Sequence, residues 1–549
     1  MCMETPCRNK SHILSLYLSK AICAGKMLQH KGLICLLVLI LAYSHSIPLK
    51  SPFLSKSTVT ADVTMTEHGR ITIESNADFA DQAASEGWPG DGSLLLPYKI
   101  QGYRISSEST CIRILDTNVH FQITSCQVSL SDNSFGVSIY LNNVTNGDIL
   151  YTNCTKGLTG IYLYQSEDCI LTSNRVENCS HNGVRVERSN HCSVRNSTIT
   201  NCDTGIFVDS SPDCRFLHNH IETAKETGIS ISWSYNCESI GNTISLGGGD
   251  AFEVHSSTSS EFIENLAYLN TGIGILVSGG GYDFVNNTVY GNVRGGLVLD
   301  NCGYSSLIGN RLHSNNRHGL SLNSSEGNTI RENWIYANIR YGLLLDETSY
   351  SNHIYDNLIG WNLRNNSRDD GTKNEWDNGV DEGNSWSDYP GGESYRIPGA
   401  ANATDRYPTH LIDASPPEIT PHQDIEYTAG SQGNILVYAP IEQFPHRFSV
   451  YKNGTAFQLG YPWDMRPIEI SVDHLLPGSH EFEVMIYDAQ GNRAYDQVIV
   501  LVHLGTERTA PFYTIIVRIA ISAVFVGLAL LLVEYGRRRS RGKGNQAVQ

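Results

Sequence analysis

Apolar residues recur in this 549-residue chain as a short phrase, in which a glycine is followed by apolar residues at the next and the third-next positions. The phrase returns ten times at spacings of 22–24 residues, and alanine once takes the place of glycine. It begins at Gly136, Gly160, Gly183, Gly205, Gly228, Ala251, Gly274, Gly296, Gly319 and Gly342. Apolar positions two residues apart predict a short strand that buries one face.

Asparagines recur along the chain as a second series with the same period. Its members are Asn174, Asn196, Asn219, Asn242, Asn265, Asn287, Asn310, Asn333 and Asn357. A short apolar strand lies on either side of each asparagine, so one period holds three strands and their turns. This pattern predicts an all-β fold, a right-handed parallel β-helix with coils of about 22–23 residues stacked ~4.8 Å apart. Asparagine suits the turns because it tolerates left-handed backbone. The two-residue period excludes an α-helical solenoid.

Cysteines recur at the same spacing in two columns. The first contains Cys169, Cys192, Cys214 and Cys237, and the second Cys154, Cys179 and Cys202. Neighbours in a ladder could approach disulfide distance, but a column of small buried thiols is the interpretation we favour. The chain has no Cys-x-x-Cys pair and no tight His–Cys cluster, so we predict no metal site.

The two ends of the chain carry apolar segments. Residues 32–46 hold a short apolar run after basic residues, which predicts a leader over 1–46, with Met27 as an alternative start. Residues 512–533 are long enough to span a bilayer, and a basic tail follows at 534–549. The sequence thus predicts a single-pass type I protein of the cell membrane with an extracellular body. The net charge of −17 argues against a nucleic-acid partner.

Two further segments make the chain resemble a known family. The opening stretch ITIESNADFADQAASEGWPGDGSLLLPYKIQGYRI and the closing stretch GNSWSDYPGGESYRIPGAANATDRYP are similar to the NosD-type, or carbohydrate-binding and sugar-hydrolase (CASH), β-helix family of the pectin-lyase-like fold, including archaeal surface proteins. The resemblance covers about 70–410. Many relatives carry an Asp-rich loop where this chain has only PGGESYR, so no cofactor is assigned and calcium is left open.

Beyond the β-helix, a further module is predicted. Residues 416–503 alternate in short stretches with turns at Asn453-Gly454 and Gly491, which is typical of an Ig-like β-sandwich acting as a spacer. The predicted order is the leader 1–46, an N-terminal cap 48–115, β-helix repeats 116–365, a closing segment 366–412, the Ig-like sandwich 416–503, a transmembrane helix 512–533 and a cytoplasmic tail 534–549.

The stretch GGGDAFEVHSS, residues 247–257, breaks the glycine pattern and supplies candidate catalytic residues. The repeat places Arg185, Asp209, Glu253 and His255 on one outward face. Paired carboxylates suit glycoside hydrolysis, and a base beside a cation suits a polysaccharide lyase. DAFEVH also resembles the active-site strand of alginate epimerases. The alternative is that a solenoid face must be polar in any case, and that this is only an irregular turn.

A row of rings offers a second candidate surface. Its members are Tyr268, Tyr290, His313, Tyr336 and Trp361. Stacked aromatic side chains suit sugar rings, but exposed strands also favour tyrosine for structural reasons. The first hypothesis is therefore a membrane-anchored surface protein that binds polysaccharide or glycan through this row, for adhesion or recognition. The alternatives are a polysaccharide lyase, hydrolase or epimerase, and copper handling as the family name implies; whether the protein is an enzyme stays open.

Overall fold

The computed structural model describes residues 65–131 and 136–504. Most of this part is a parallel β-solenoid of about 13 turns. Each turn gives one strand to each of three parallel sheets, in the chain order B, C, A. The prediction of a parallel β-helix is confirmed.

The three sheets are named A, B and C. Sheet A consists of Thr66–His68, Tyr103–Ser107, Gln127–Leu130, Asn153–Thr155, Arg175–Glu177, Thr198–Thr200, His220–Glu222, Thr243–Ser245, Leu266–Tyr268, Thr288–Tyr290, Arg311–His313, Trp334–Tyr336, Leu358–Gly360, Ser385–Trp386 and Thr409–His410. Sheet B consists of Ile71–Ile73, Ile112–Thr117, Val137–Val144, Thr159–Tyr164, Asn182–Glu187, Thr204–Asp209, Thr227–Ser232, Asp250–Thr258, Ile273–Gly280, Gly295–Gly303, Leu320–Asn323, Tyr341–Leu345 and Asn365–Asp369. Sheet C consists of Tyr98–Gln101, Phe121–Thr124, Gly147–Leu150, Ile170–Thr172, Ser193–Arg195, Arg215–Leu217, Glu238–Ile240, Glu261–Ile263, Asp283–Val285, Ser306–Ile308, Thr329–Arg331 and His353–Tyr355.

The recurring glycine marks a close approach between coils. A Cβ atom built on Gly183 would lie 2.4 Å from Ile199 Cγ2 and 2.7 Å from the carbonyl oxygen of Gly205 in the next coil. A side chain at this position would collide with these atoms, which explains why the repeated phrase in the sheet B strands begins with glycine in coil after coil. Ala251 stands at the equivalent place, fully buried, where the strand Asp250–Thr258 begins.

Asparagines form a buried ladder at the turn from sheet C to sheet A. In Asn310, Oδ1 accepts from the backbone N–H of Asn287 at 2.9 Å, and Nδ2 donates to the carbonyl of Phe284 and to Asn333 Oδ1, both at 2.9 Å. One predicted member is wrong: the ladder position between Asn174 and Asn219 is Ser197, and Asn196 lies one residue earlier, at φ 50°.

The predicted reason for the asparagines is also corrected. The left-handed residue of each turn is the one before the ladder position, as at Ser173, His218 and Glu264, each with φ 54°. The ladder asparagines are instead placed for their side-chain hydrogen bonds. A second buried ladder, at the turn from sheet A to sheet B, escaped the sequence analysis. It contains Asn270, Asn292, Asn315, Asn338 and Asn362.

Both ends of the solenoid are closed. The helix Asn76–Glu86 buries Phe79 against the first coils, and it ends at Gly87, which has φ 69°. At the other end the indole N–H groups of Trp376 and Trp386 donate to the carboxylates of Asp369 and Asp405, both at 2.9 Å. A short antiparallel pair lies beside them, formed by Tyr395–Arg396 and Thr404–Asp405.

A C-terminal β domain follows. Its five-stranded sheet contains Ile425–Thr428, Pro445–Lys452, Thr455–Gly460, Gly478–Asp488 and Arg493–His503, and its two-stranded sheet contains Ile435–Tyr438 and Ile468–Ser471. The two sheets share one apolar core, in which Leu436 and Ile470 of the smaller sheet are buried with Val484 and Val500 of the larger. The β character predicted for this part of the chain is therefore present.

The ten described cysteines are buried free thiols, in keeping with the favoured interpretation.

The predicted type I membrane topology has to be corrected. Among residues 65–131 and 136–504, no helix is long and apolar enough to cross a membrane. The proposed leader over 1–46, the span at 512–533 and the tail at 534–549 lie outside the described residues.

Candidate functional site

The outward face of sheet B carries a stack of rings around one cation. Arg185 lies in register between Tyr162 and Phe207 on the two adjacent strands. Its guanidinium carbon is 5.0 Å from the Tyr162 ring centroid and 5.2 Å from that of Phe207, within the range of cation–π attraction. All three side chains are half-buried, so the stack presents a surface to solvent.

Glu187 holds this stack in place. Its carboxylate accepts from the Tyr162 hydroxyl at 2.6 Å and from Arg185 at 2.7–3.0 Å. Burial raises the pKa of Glu187, but these hydrogen bonds outweigh burial and set the pKa below its ordinary value. Glu187 therefore stays ionised and balances the charge of Arg185.

The predicted pair Glu253 and His255 is also on this face, three strands further along. Imidazole Nε2 lies 2.9 Å from Glu253 Oε1, and Nδ1 lies 3.2 Å from the hydroxyl of Ser278 in the next coil. The Thr227 hydroxyl donates to the other carboxylate oxygen of Glu253 at 3.1 Å. A carboxylate next to Nε2 favours the tautomer that carries the proton there, which leaves Nδ1 as the basic nitrogen.

The sheet is irregular beside His255 and Ser278. The register between the two strands shifts after Val254, so that two residues, His255 and Ser256, oppose the single residue Ser278. A β-bulge of this kind re-aims side chains, and bulges are common next to active sites. The sequence shows only the missing glycine; the bulge itself has no signal in the spacing.

Two other predicted members of this face are further from the pair. Asp209 is two strands from His255, with Ser232 between them, a separation of roughly 10 Å by strand spacing. Arg185 is three strands from Glu253. The face thus carries two separate groups, the Arg185 stack and the Glu253–His255 pair. Asp250, the first residue of the strand Asp250–Thr258, has a structural contact: its carboxylate accepts from the backbone N–H of Ile273 at 2.6 Å.

The predicted aromatic row exists as a stack on sheet A. Ring centroids are 5.2 Å apart for Tyr268 and Tyr290, 5.0 Å for Tyr290 and His313, and 4.8 Å for His313 and Tyr336, with planes within 8° of parallel. Trp361 lies beyond the stack and contacts Phe444.

The C-terminal β domain covers most of this row. Tyr290, His313 and Tyr336 are fully buried. Arg466 lies 4.3 Å from the ring of Tyr268 and donates to the hydroxyl of Tyr290 at 2.6 Å, while Phe444 packs edge-on against Tyr336. The row is therefore closed to a ligand while the domain is docked, and its carbohydrate-binding role stays a prediction.

A cleft on sheet C, with a volume of about 450 Å³, was missed in the sequence analysis. Its lining contains the residues directly before the first cysteine column, Asp168, His191, Asp213 and Asn236, together with Arg195, Arg215 and Glu238. These charges are largely paired: Arg215 lies 3.1 Å from Glu238, and His191 lies 3.3 Å from Glu167. We assign the cleft no role, because exposed ion pairs of this kind are common on surfaces.

The repeat region matches a family model. Residues 119–294 and 282–391 match the model described as periplasmic copper-binding protein (NosD). The β-helix of this chain is a NosD-type right-handed β-helix. The matched residues contain both the Arg185 stack and the Glu253–His255 pair. A search of curated protein sequences finds no match to the chain.

Among solved structures, the NosD-type β-helix is similar to the mannuronan C-5 epimerase AlgE6 A-module of Azotobacter vinelandii, with 14% identity over 61% of this chain and 90% of that one and a TM-score of 0.40. DFA-IIIase from Arthrobacter chlorophenolicus A6 matches with 14% identity over 51% and 88% of the two chains and a TM-score of 0.37. These likenesses are too distant to transfer a function.

Proposed function

We propose that this protein binds a polysaccharide along the outward face of sheet B. The observation that carries the proposal is the half-buried Tyr162–Arg185–Phe207 stack on the outward side of sheet B. Aromatic faces pack against the C–H faces of sugar rings, and a guanidinium has five N–H donors, so Arg185 can donate to sugar hydroxyls while it stays paired with Glu187. The C-terminal β domain, which we infer to be Ig-like, docks on sheet A and leaves this face open.

The ligand is a neutral polysaccharide. Glu187 already balances Arg185, and Asp209 and Glu253 add negative charge to the same face. A polyuronate would meet these carboxylates and a chain of net charge −17, and like charges brought together in an interface weaken binding. Copper handling ranks last, because the one group suited to a metal among residues 65–131 and 136–504 consists of carboxylates.

Replacing Phe207 by alanine should weaken binding of a neutral polysaccharide about tenfold, which corresponds to about 1.4 kcal/mol. The variant removes one wall of the stack but leaves the Arg185–Glu187 pair. Affinity electrophoresis or calorimetry with the purified full-length protein and a panel of neutral and uronate polysaccharides would measure it. Val298→Ala, in the same outward column four strands away, is the matched control. Equal affinity of Phe207→Ala and wild type would refute the proposed face.

A second candidate is catalysis on the bound polysaccharide at His255. The hydrogen-bonded chain from Glu253 through His255 to Ser278 favours it, because a carboxylate that orients an imidazole leaves the other nitrogen ready to accept a proton. On a neutral polysaccharide such a base serves hydrolysis through a bound water, whereas lyase and epimerase chemistry at a C–H beside a carboxylate needs a uronate substrate.

If the protein turns over a polysaccharide, His255→Ala should lower kcat by about 10²–10⁴-fold with binding retained. Mass spectrometry of products from the full-length protein measures the effect. His220→Ala, a half-exposed histidine on sheet A, is the control. Turnover that persists in His255→Ala would exclude His255 as the base, and the absence of products from any substrate would leave the protein a binding module.

A further inference from the structure

Three buried carboxylates meet where the β-helix leads into the C-terminal β domain. Asp413, Glu442 and Asp488 are 7%, 6% and 1% exposed. One carboxylate oxygen from each lies within 4.8 Å of the other two. None of the ion pairs formed within residues 65–131 and 136–504 includes any of the three. Three like charges buried together without a cation would be strongly destabilising.

Each carboxylate leaves coordinating capacity unused. Asp488 Oδ1 accepts from the backbone N–H groups of Gly491 and Asn492 at 2.7 and 2.8 Å, and Glu442 Oε1 accepts from that of Phe444 at 2.8 Å. The Oδ2 atoms of Asp413 and Asp488 are fully buried and have no hydrogen-bond partner among the described residues. Backbone contacts therefore hold Glu442 and Asp488 in place, while Asp413 and Asp488 each keep a buried oxygen without a partner in this cluster of carboxylates.

We propose that Asp413, Glu442 and Asp488 together bind one calcium ion. Two oxygens that each lie about 2.4 Å from one calcium ion are at most about 4.8 Å apart, which the three carboxylates satisfy. The donor set is all oxygen, which suits calcium, magnesium or manganese and not copper or zinc. Calcium is the choice because it accepts irregular geometry and several carboxylates, whereas magnesium requires a near-ideal octahedron and keeps its waters.

The electrostatics of the cluster point the same way. The three carboxylates are buried with their oxygens within 4.8 Å of one another, so their charges repel and none is fully hydrated. A divalent cation removes this mutual repulsion and replaces the hydration that burial has taken away.

The ion would tie together the segments that dock the two domains. Asp413 follows the last strand of sheet A, and Asp488 ends the strand Gly478–Asp488. Glu442 lies two residues before Phe444, which packs between Trp334 and Trp361 of the β-helix. Binding of calcium should therefore stabilise the docked position of the C-terminal β domain over the aromatic row.

The test is calcium binding by the full-length protein after treatment with a chelator and desalting. Calorimetry with calcium chloride should show one ion per chain with a Kd of about 10⁻⁴ M or tighter, and calcium should raise the Tm and change the tryptophan fluorescence. Glu442→Gln and Asp488→Asn should each weaken binding at least tenfold. Asp424→Asn, an exposed carboxylate of the same domain that accepts from the N–H of Ile499, is the control.

Glu442→Gln and Asp488→Asn are both tested so that misfolding of one does not decide the result, and circular dichroism shows whether each is folded. Absence of calcium binding by folded wild-type protein would overturn the proposal. So would wild-type affinity in both folded variants, or binding of magnesium in preference to calcium at equal concentration.

Discussion

Replacing Asn310 by alanine is expected to lower the free energy of unfolding by about 3–5 kcal/mol. The substitution removes the acceptor for the backbone N–H of Asn287 and the donors for the carbonyl of Phe284 and for Asn333. These groups are buried between coils, where water cannot replace the lost partner. A buried polar group left unpaired costs about 1–3 kcal/mol, and Asn310→Ala leaves more than one.

Urea denaturation of the purified protein, followed by circular dichroism, measures this loss. Asn316→Ala serves as the control, because Asn316 lies on the same coil with its side chain exposed. The control should change stability by no more than about 0.5 kcal/mol. A loss below 1 kcal/mol in Asn310→Ala would show that the asparagine ladder contributes little to stability. The stacked inward apolar residues alone would then hold the coils together.

Replacing Phe444 by alanine should destabilise the contact between the two domains by a comparable free energy, about 3–5 kcal/mol. The rest of each domain should keep its stability. Phe444 is 2% exposed, with ring centroids 4.9 Å from Trp361, 5.2 Å from Trp334 and 5.3 Å from Tyr336. Its removal leaves a cavity at the centre of this contact. Loss of docking should expose the two tryptophans and the aromatic row.

The red shift of tryptophan fluorescence and the rate of limited proteolysis between the domains are the readouts. Leu459→Ala, which removes an exposed apolar side chain from the same domain, provides the comparison. Unchanged fluorescence and proteolysis in Phe444→Ala would mean that other contacts, such as that of Arg466 with Tyr290, hold the domain in place. Glycan binding that appears only in Phe444→Ala would support the aromatic row as a sugar-binding surface.

Much of the fold could be predicted because each coil repeats one local solution. The apolar residues that follow Gly183 and Gly205 are two positions apart within each coil, and they recur 22 residues later in the next coil. Only a stack of short strands buries all of them on one side. The same spacing placed Glu253 and His255 side by side on the outward face, which the 2.9 Å contact confirms. The shift between Asn196 and Ser197 was missed because coils of 22 and of 23 residues both occur, so either residue fits the repeat between Asn174 and Asn219.

The sequence by itself determined the coil, its three strands, most of the asparagine ladder between sheets C and A and the face on which Arg185 and His255 lie, because a repeating pattern of apolar residues acts over short distances along the chain. The tertiary structure alone decided the bulge beside His255, the burial of Tyr290 beneath Arg466 and the meeting of Asp413 with Asp488. The last two features join residues whose separation follows no period, so their contacts arise only when distant segments pack against each other.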